Sequence, residues 1–108
     1  MDRFHDRRID EFGRLVLHDE LRQKLRLEAG DKVSFTHVDT IVILQRVTDK
    51  SRPGGETCTL NDFGMITIPR ELMDNIGWKM ADKIALHHTD NIIILQKAKD
   101  KFVQRLSF

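Results

Sequence analysis

Two stretches decide the fold. Arg8 to Val47 reads RIDEFGRLVLHDELRQKLRLEAGDKVSFTHVDTIVILQRV, and Thr59 to Ala98 reads TLNDFGMITIPRELMDNIGWKMADKIALHHTDNIIILQKA. The second is the first displaced by 51 residues, with no gap. Phe12/Phe63, Gly13/Gly64, Glu20/Glu71, Leu21/Leu72, Asp31/Asp82, Lys32/Lys83, His37/His88, Asp39/Asp90, Ile41/Ile92, Ile43/Ile94, Leu44/Leu95 and Gln45/Gln96 are identical, and apolar residues match apolar ones at most other positions. Self-similarity at a fixed period marks a duplicated structural unit.

Between the copies, residues 48–58 are a linker plus the start of the second unit. The polar run around Pro53-Gly54-Gly55 is its turn signal. The tail 99–108 carries Phe102, Val103, Leu106 and Phe108, which suggests that it packs against something. The domain organisation is therefore one domain over 1–108, made of a first unit at 8–47 and a second at 59–98.

Within each unit a short strand leads into Asp10-Glu-Phe-Gly13 or Asn61-Asp-Phe-Gly64. Asn, Asp and Gly suit a tight turn because they tolerate positive φ. Strands follow at Leu15–Leu17 and Ile66–Ile68. Pro69 ends the second and suits the start of a helix. Short helices are predicted at Glu20–Leu25 and Glu71–Ile76, where Leu21/Leu25 and Leu72/Ile76 share one face at i,i+4. Gly77 is the expected helix-ending glycine, and Arg26 stands in its place in the first unit. Val33–Phe35 and Ile84–Leu86 alternate as strands. Polar turns at Asp39-Thr40 and Asp90-Asn91 come next. Ile41–Leu44 and Ile92–Leu95 are near-continuous apolar runs, as expected of strands buried on both faces. A unit of about 40 residues cannot bury enough apolar surface alone, so the two units must share a core.

The chain has 108 residues, 40% of them apolar and 32% charged, with a net charge of +1. No apolar run reaches the ~18 residues of a membrane helix, so no membrane association is expected. The first residues lack the apolar core of a secretory signal. Cys58 is the one cysteine, which excludes an intrachain disulfide. A reducing, cytoplasmic location is the expectation. A net charge this small is not the basic excess usual in nucleic-acid binders. Arginines nonetheless crowd one end: Arg3, Arg7, Arg8, Arg14, Arg22 and Arg26.

The phrase from Arg8 to Arg22, with its acidic turn, Gly13-Arg14 and Glu20-Leu-Arg22, resembles the AbrB/MazE/SpoVT family of swapped-hairpin DNA-binding proteins. In the second unit Asn61 to Leu72 keeps the Ile68-Pro-Arg-Glu-Leu72 pattern better still. The resemblance covers about 80 residues. Members usually carry one unit and dimerise. It therefore implies a mainly β fold with short helices, a swapped-hairpin (double-psi-like) barrel formed by two intrachain repeats with pseudo-two-fold symmetry. MraZ proteins also hold two related units. Their Asp-x-x-x-Arg helix motif is absent here, since Asp19 is followed four on by Gln23 and Asp74 by Trp78.

The resemblance further implies a transcriptional regulator that binds double-stranded DNA through Arg7, Arg8, Arg14 and Arg22, with Arg70 and Lys79 as the nearby cations of the second unit. Arginine suits that role because its planar fork fits phosphate and guanine edges. The second unit departs from the pattern: Thr59, Met65 and Met73 replace Arg8, Arg14 and Arg22. Either one unit reads DNA, or two chains pair as a homodimer, or DNA binding has been lost. An exposed face at Met65 and Met73 would suit a protein partner. The alternative function is accordingly an antitoxin-like or assembly module.

No enzyme activity, cofactor or metal is expected. His37, His87, His88, Asp39 and Asp90 gather at equivalent hairpins, but His87 and His88 are adjacent in a strand and face opposite ways. No His-x-x-x-His or Cys-x-x-Cys spacing occurs. Cys58 is expected to be partly buried, and Trp78 to pack in the core or at an edge.

Overall fold

The computed structural model describes residues 2–3, 6–48, 55–89 and 91–98, with the side chains of residues 2 and 3 left aside. The expected turn at Pro53-Gly54, the tail Lys99–Phe108 and Asp90 lie outside the described residues. The elements are β1 (Asp2–Arg3), β2 (Arg7–Arg8), β3 (Arg14–Val16), α1 (Asp19–Lys24), β4 (Lys32–Val38), β5 (Ile41–Arg46), β6 (Glu56–Thr59), β7 (Met65–Thr67), α2 (Arg70–Ile76), β8 (Lys83–Thr89) and β9 (Ile92–Lys97). The chain is mainly β with two short helices, and its antiparallel sheet curls into a half-barrel. Among the described residues no helix is long and apolar enough to cross a membrane.

The main sheet runs β1-β8-β9-β5-β4-β6, with β2 also on β8, while β3 and β7 form a separate ladder. The 51-residue shift recurs in the pairing itself. β2 sets Arg7 against Ile84 and Arg8 against Lys83. β6 sets Cys58 against Val33 and Thr59 against Lys32. The opening strand of each repeat thus pairs with the other repeat's strand. Two ladders join the repeats at equivalent residues: Leu15 faces Ile66, and Ile43 faces Ile94. Turn bonds repeat as well. Leu17 N–H donates to the Gly64 carbonyl and Ile68 N–H to the Gly13 carbonyl, both at 2.9 Å.

The core obeys the same rule. It holds Ile9, Leu15, Leu17, Leu21, Leu25, Leu27, Val33, Phe35, Val42 and Leu44, together with the ten residues found by adding 51 to each number, from Leu60 to Leu95. Burying a Leu or Ile side chain contributes roughly 1.5–3 kcal/mol, so neither repeat could keep half of this core alone. Trp78, in the place of Leu27, lies in the core at 3% exposure.

The expectation of strands buried on both faces fails for β5 and β9. Val42, Leu44, Ile93 and Leu95 are buried, whereas Ile41, Ile43, Ile92 and Ile94 are half-buried. Only one face of this sheet meets the core; alternation is hidden in the sequence because the outer face is apolar too.

Helices of six and seven residues are too short to persist alone. Burial of Leu21, Leu72 and Ile76 holds them. Each starts one residue earlier than expected, at Asp19 and Arg70. His18 caps α1 by accepting the Glu20 N–H on Nδ1 at 3.3 Å. Pro69 precedes α2 without a side-chain cap. Past each helix the backbone turns left-handed, at Gly77 (φ 78) and at Arg26 (φ 55).

Candidate nucleic-acid interface

The first candidate arginine, Arg14, is held by a turn. Asp10 Oδ1 accepts the N–H groups of Phe12 (2.9 Å) and Arg14 (2.7 Å), and its Oδ2 accepts Arg14 Nε at 2.7 Å. The guanidinium also lies 4.8 Å from the Phe12 ring centroid, a cation–π distance. Desolvation pushes the Asp10 carboxyl up, but the Arg14 amide, the Arg14 guanidinium and the Phe12 amide together outweigh it and hold the pKa below its ordinary value. In the second repeat Asn61 Oδ1 makes the same two backbone bonds, to Phe63 and Met65, both at 2.9 Å. The acid and its arginine partner have disappeared together there.

The second arginine belongs to α1. Arg22 Nε donates to the Leu17 carbonyl at 3.0 Å, and Nη2 bonds Asp19. The guanidinium lies over the backbone of Gly64 in the other repeat, where an added Cβ would come within 2.9 Å of Arg22 Cζ. At the equivalent place Met73 lies over Gly13, with its Sδ 3.6 Å from where a Cβ on that glycine would stand. Each helix therefore covers the turn glycine of the opposite repeat. Since Arg14 faces Thr67 and Gly64 sits beside Leu17, Arg14 and Arg22 mark opposite ends of the β3–β7 ladder. Three residues of strand separate those ends, about 10 Å. Val16, Met65 and Thr67 occupy the outer side of the ladder between them.

The other expected residues are more scattered. Arg7 is half-buried on β2, and its buried Nε has no hydrogen-bond partner. Arg8 is exposed, with Nη1 donating to the Ala81 carbonyl at 2.9 Å. Arg70 opens α2 one turn before Met73, at the Arg14 end of the ladder, and is exposed. Lys79 is exposed in the loop after α2, where its backbone N–H donates to Asp82 Oδ2 at 2.8 Å. The structure brings Arg14, Arg22 and Arg70 around one ladder and leaves Arg7, Arg8 and Lys79 near β8 and its entry.

At the expected apolar face, Met65 and Met73 lie partly covered. Both are half-buried, and Met73 packs against the core. Among the described residues the large exposed apolar side chains are Phe12 (65%), Val38, Phe63 (81%) and Met80. Phe12 and Phe63 crown the two turns, and the sequence reading missed them. The available signal was an aromatic at the tip of a turn closed by an Asx side chain.

Among the described residues no three His, Cys, Asp or Glu side chains gather with metal-binding geometry. His37 Nδ1 lies 3.2 Å from the Asp39 carbonyl in its own hairpin. Cys58 is half-buried, and burial pushes its thiol pKa up, with a Thr67 backbone hydrogen bond acting the other way.

No family model and no curated protein matches this chain. Among solved structures it is similar to the solution structure of PHS018 from Pyrococcus horikoshii, at 21% identity and a TM-score of 0.49, over 93% of this chain and 100% of that one.

Proposed function

We propose that the chain is an AbrB-like regulator in which a swapped-hairpin, double-psi-like barrel with pseudo-two-fold symmetry is formed inside one polypeptide, and that it binds duplex DNA across the β3–β7 ladder. The barrel reading is supported by the reciprocal pairing of β2 with β8 and β6 with β4. The single observation that carries the DNA reading is the pair of anchored arginines. Arg14 is fixed through Nε to Asp10, and Arg22 through Nε to the Leu17 carbonyl and through Nη2 to Asp19, while the other terminal N–H groups are left for a ligand. Pre-anchored guanidiniums lose less freedom on binding. The ladder ends that they mark lie about 10 Å apart along the strand, comparable with the ~12 Å width of the major groove. Arg70 adds a cation at the Arg14 end.

Anisotropy titrations of duplex genomic fragments across a salt series test this. The expected outcome is affinity that falls steeply as salt rises, and that collapses in R14A/R22A with the unfolding midpoint little changed. Undetectable binding of the intact protein at low salt would overturn it.

A second reading has its own observation. Phe12 and Phe63, largely exposed at equivalent turns, suit an antitoxin-like or assembly module that grips a protein partner. Under that reading F12S/F63S abolishes partner capture, while R14A/R22A leaves it intact.

A further inference from the structure

A cleft of about 570 Å³ lies between the C-terminal end of α1 and the end of β5, lined by Lys24, Arg26, Gln45, Arg46, Thr48 and Asn91. Among the described residues three cations line it and no carboxylate does. Lys24 and Arg26 have no ion-pair partner among the described residues. Arg46 forms an ion pair with Asp31 at 3.7 Å, but its buried Nε has no hydrogen bond. Crowded like charges repel, and an unbonded buried donor is costly; both costs are relieved by one anion in the cleft.

The repeats supply a control. The second repeat has Asn75 for Lys24 and Gly77 for Arg26, and keeps a cation, Lys97, for Arg46. Gly77 adopts φ 78, and a Cβ there would meet nothing within 4 Å. Arg26 holds the same left-handed backbone at φ 55, a conformation that disfavours a residue with a Cβ. Ala81 is also left-handed, at the place equivalent to Gly30, so the fold tolerates such exchanges. Arg26 differs in what its backbone delivers, a guanidinium at the mouth of a cleft already holding Lys24 and Arg46.

We propose that this cleft is a phosphate-binding site. Its size suits a nucleotide-sized ligand. Two guanidiniums offer forked, bidentate contacts to phosphate oxygens, Lys24 adds a mobile point charge, and the side-chain amides of Gln45 and Asn91 add neutral donors. The phosphate comes either from a small polyphosphate or from a nucleic-acid backbone, and the chemistry is the same. Arg14 and Arg22 do not line it, so it is tested apart from the ladder.

The test is an amide-resolved NMR titration of the full chain at low ionic strength with inorganic pyrophosphate, with ATP and with a short duplex DNA. Saturable shifts at residues 24–26 and 45–46 are expected with pyrophosphate and ATP. Duplex that moves the same amides assigns the phosphate to the nucleic-acid backbone; duplex that leaves them unmoved assigns it to a small molecule. R26G separates binding from folding. It should raise the unfolding midpoint, because glycine prefers this backbone, and weaken pyrophosphate binding at least about tenfold. Equal affinity for wild type and R26G, or no saturable binding by wild type, overturns the proposal.

Discussion

In the first repeat Asp10 closes a turn and holds Arg14; in the second, Asn61 closes the same turn with the same two backbone bonds and is followed by Met65. α1 lays Arg22 over Gly64, while α2 lays Met73 over Gly13. Arg26 ends the first helix in a left-handed turn where Gly77 ends the second. Asp19 and Glu28 face solvent in the first repeat where Arg70 and Lys79 do in the second. Every one of these differences sits at the surface or in a cover over a glycine, and the paired core positions remain apolar throughout. Core packing couples the two repeats to each other, so a change there is felt by both. Surface charge is answerable only to what binds, so it is free to differ.

The equivalence of the repeats is challenged hardest in the core. Leu44 and Leu95 are identical, equivalent and fully buried. Leu44→Ala and Leu95→Ala should each cost about 3 kcal/mol in urea unfolding, and by similar amounts. Clearly unequal losses would mean that the two repeats do not share one framework.

A smaller effect separates the two glycine covers. Gly13 and Gly64 both have left-handed backbones, φ 78 and φ 74. An alanine at either loses roughly 1–2 kcal/mol to that conformation. At Gly13 its Cβ meets Met73 and the Ile68 carbonyl at an ordinary 3.6 Å; at Gly64 it runs into the Arg22 guanidinium at 2.9–3.1 Å. Gly64→Ala should therefore be the more destabilising in thermal unfolding, and the only one of the two that displaces Arg22.

The smallest effect is electrostatic and concerns the turn acids. The folded Asp10 pKa lies below its unfolded value of 3.8. Its contribution to stability is therefore present above that value and is lost as pH falls through the lowered folded pKa. Asp10→Asn copies the second repeat: it keeps the turn acceptor and removes the titration. Unfolding midpoints measured between neutral pH and about pH 2 should fall less steeply for Asp10→Asn than for wild type. Parallel curves would deny Asp10 this role.

Much of the framework was legible in the residues. The 51-residue shift located both turns, both helices within a residue, and the order of the strands, because core positions and turn residues are fixed by burial and backbone geometry, which act locally. Three things were not legible. The outer isoleucines of β5 and β9 mimic a buried strand, since sequence shows apolarity and not coverage. Met73 looked like an exposed replacement for Arg22, but its cover over Gly13 is a contact between distant segments. The cleft of Lys24, Arg26 and Arg46 joins residues about 20 apart in sequence, and only the packing of α1 beside β5 brings them together. The arginines that form one group along the sequence are divided in space, with Arg14 and Arg22 at the ladder and Arg7 and Arg8 on β2.

One framework carries two surfaces, and under the proposal the arginines of the first repeat hold the DNA. Exchanging the surfaces decides the matter: R14M/R22M makes the first repeat resemble the second, and M65R/M73R does the reverse. Duplex affinity is measured for both at one low salt concentration, beside their unfolding midpoints. R14M/R22M should lose at least about a hundredfold in affinity, on the order of two charge-assisted contacts, with a near-native midpoint. M65R/M73R should bind more tightly than wild type. Unchanged duplex affinity in R14M/R22M would refute the assignment of DNA binding to Arg14 and Arg22.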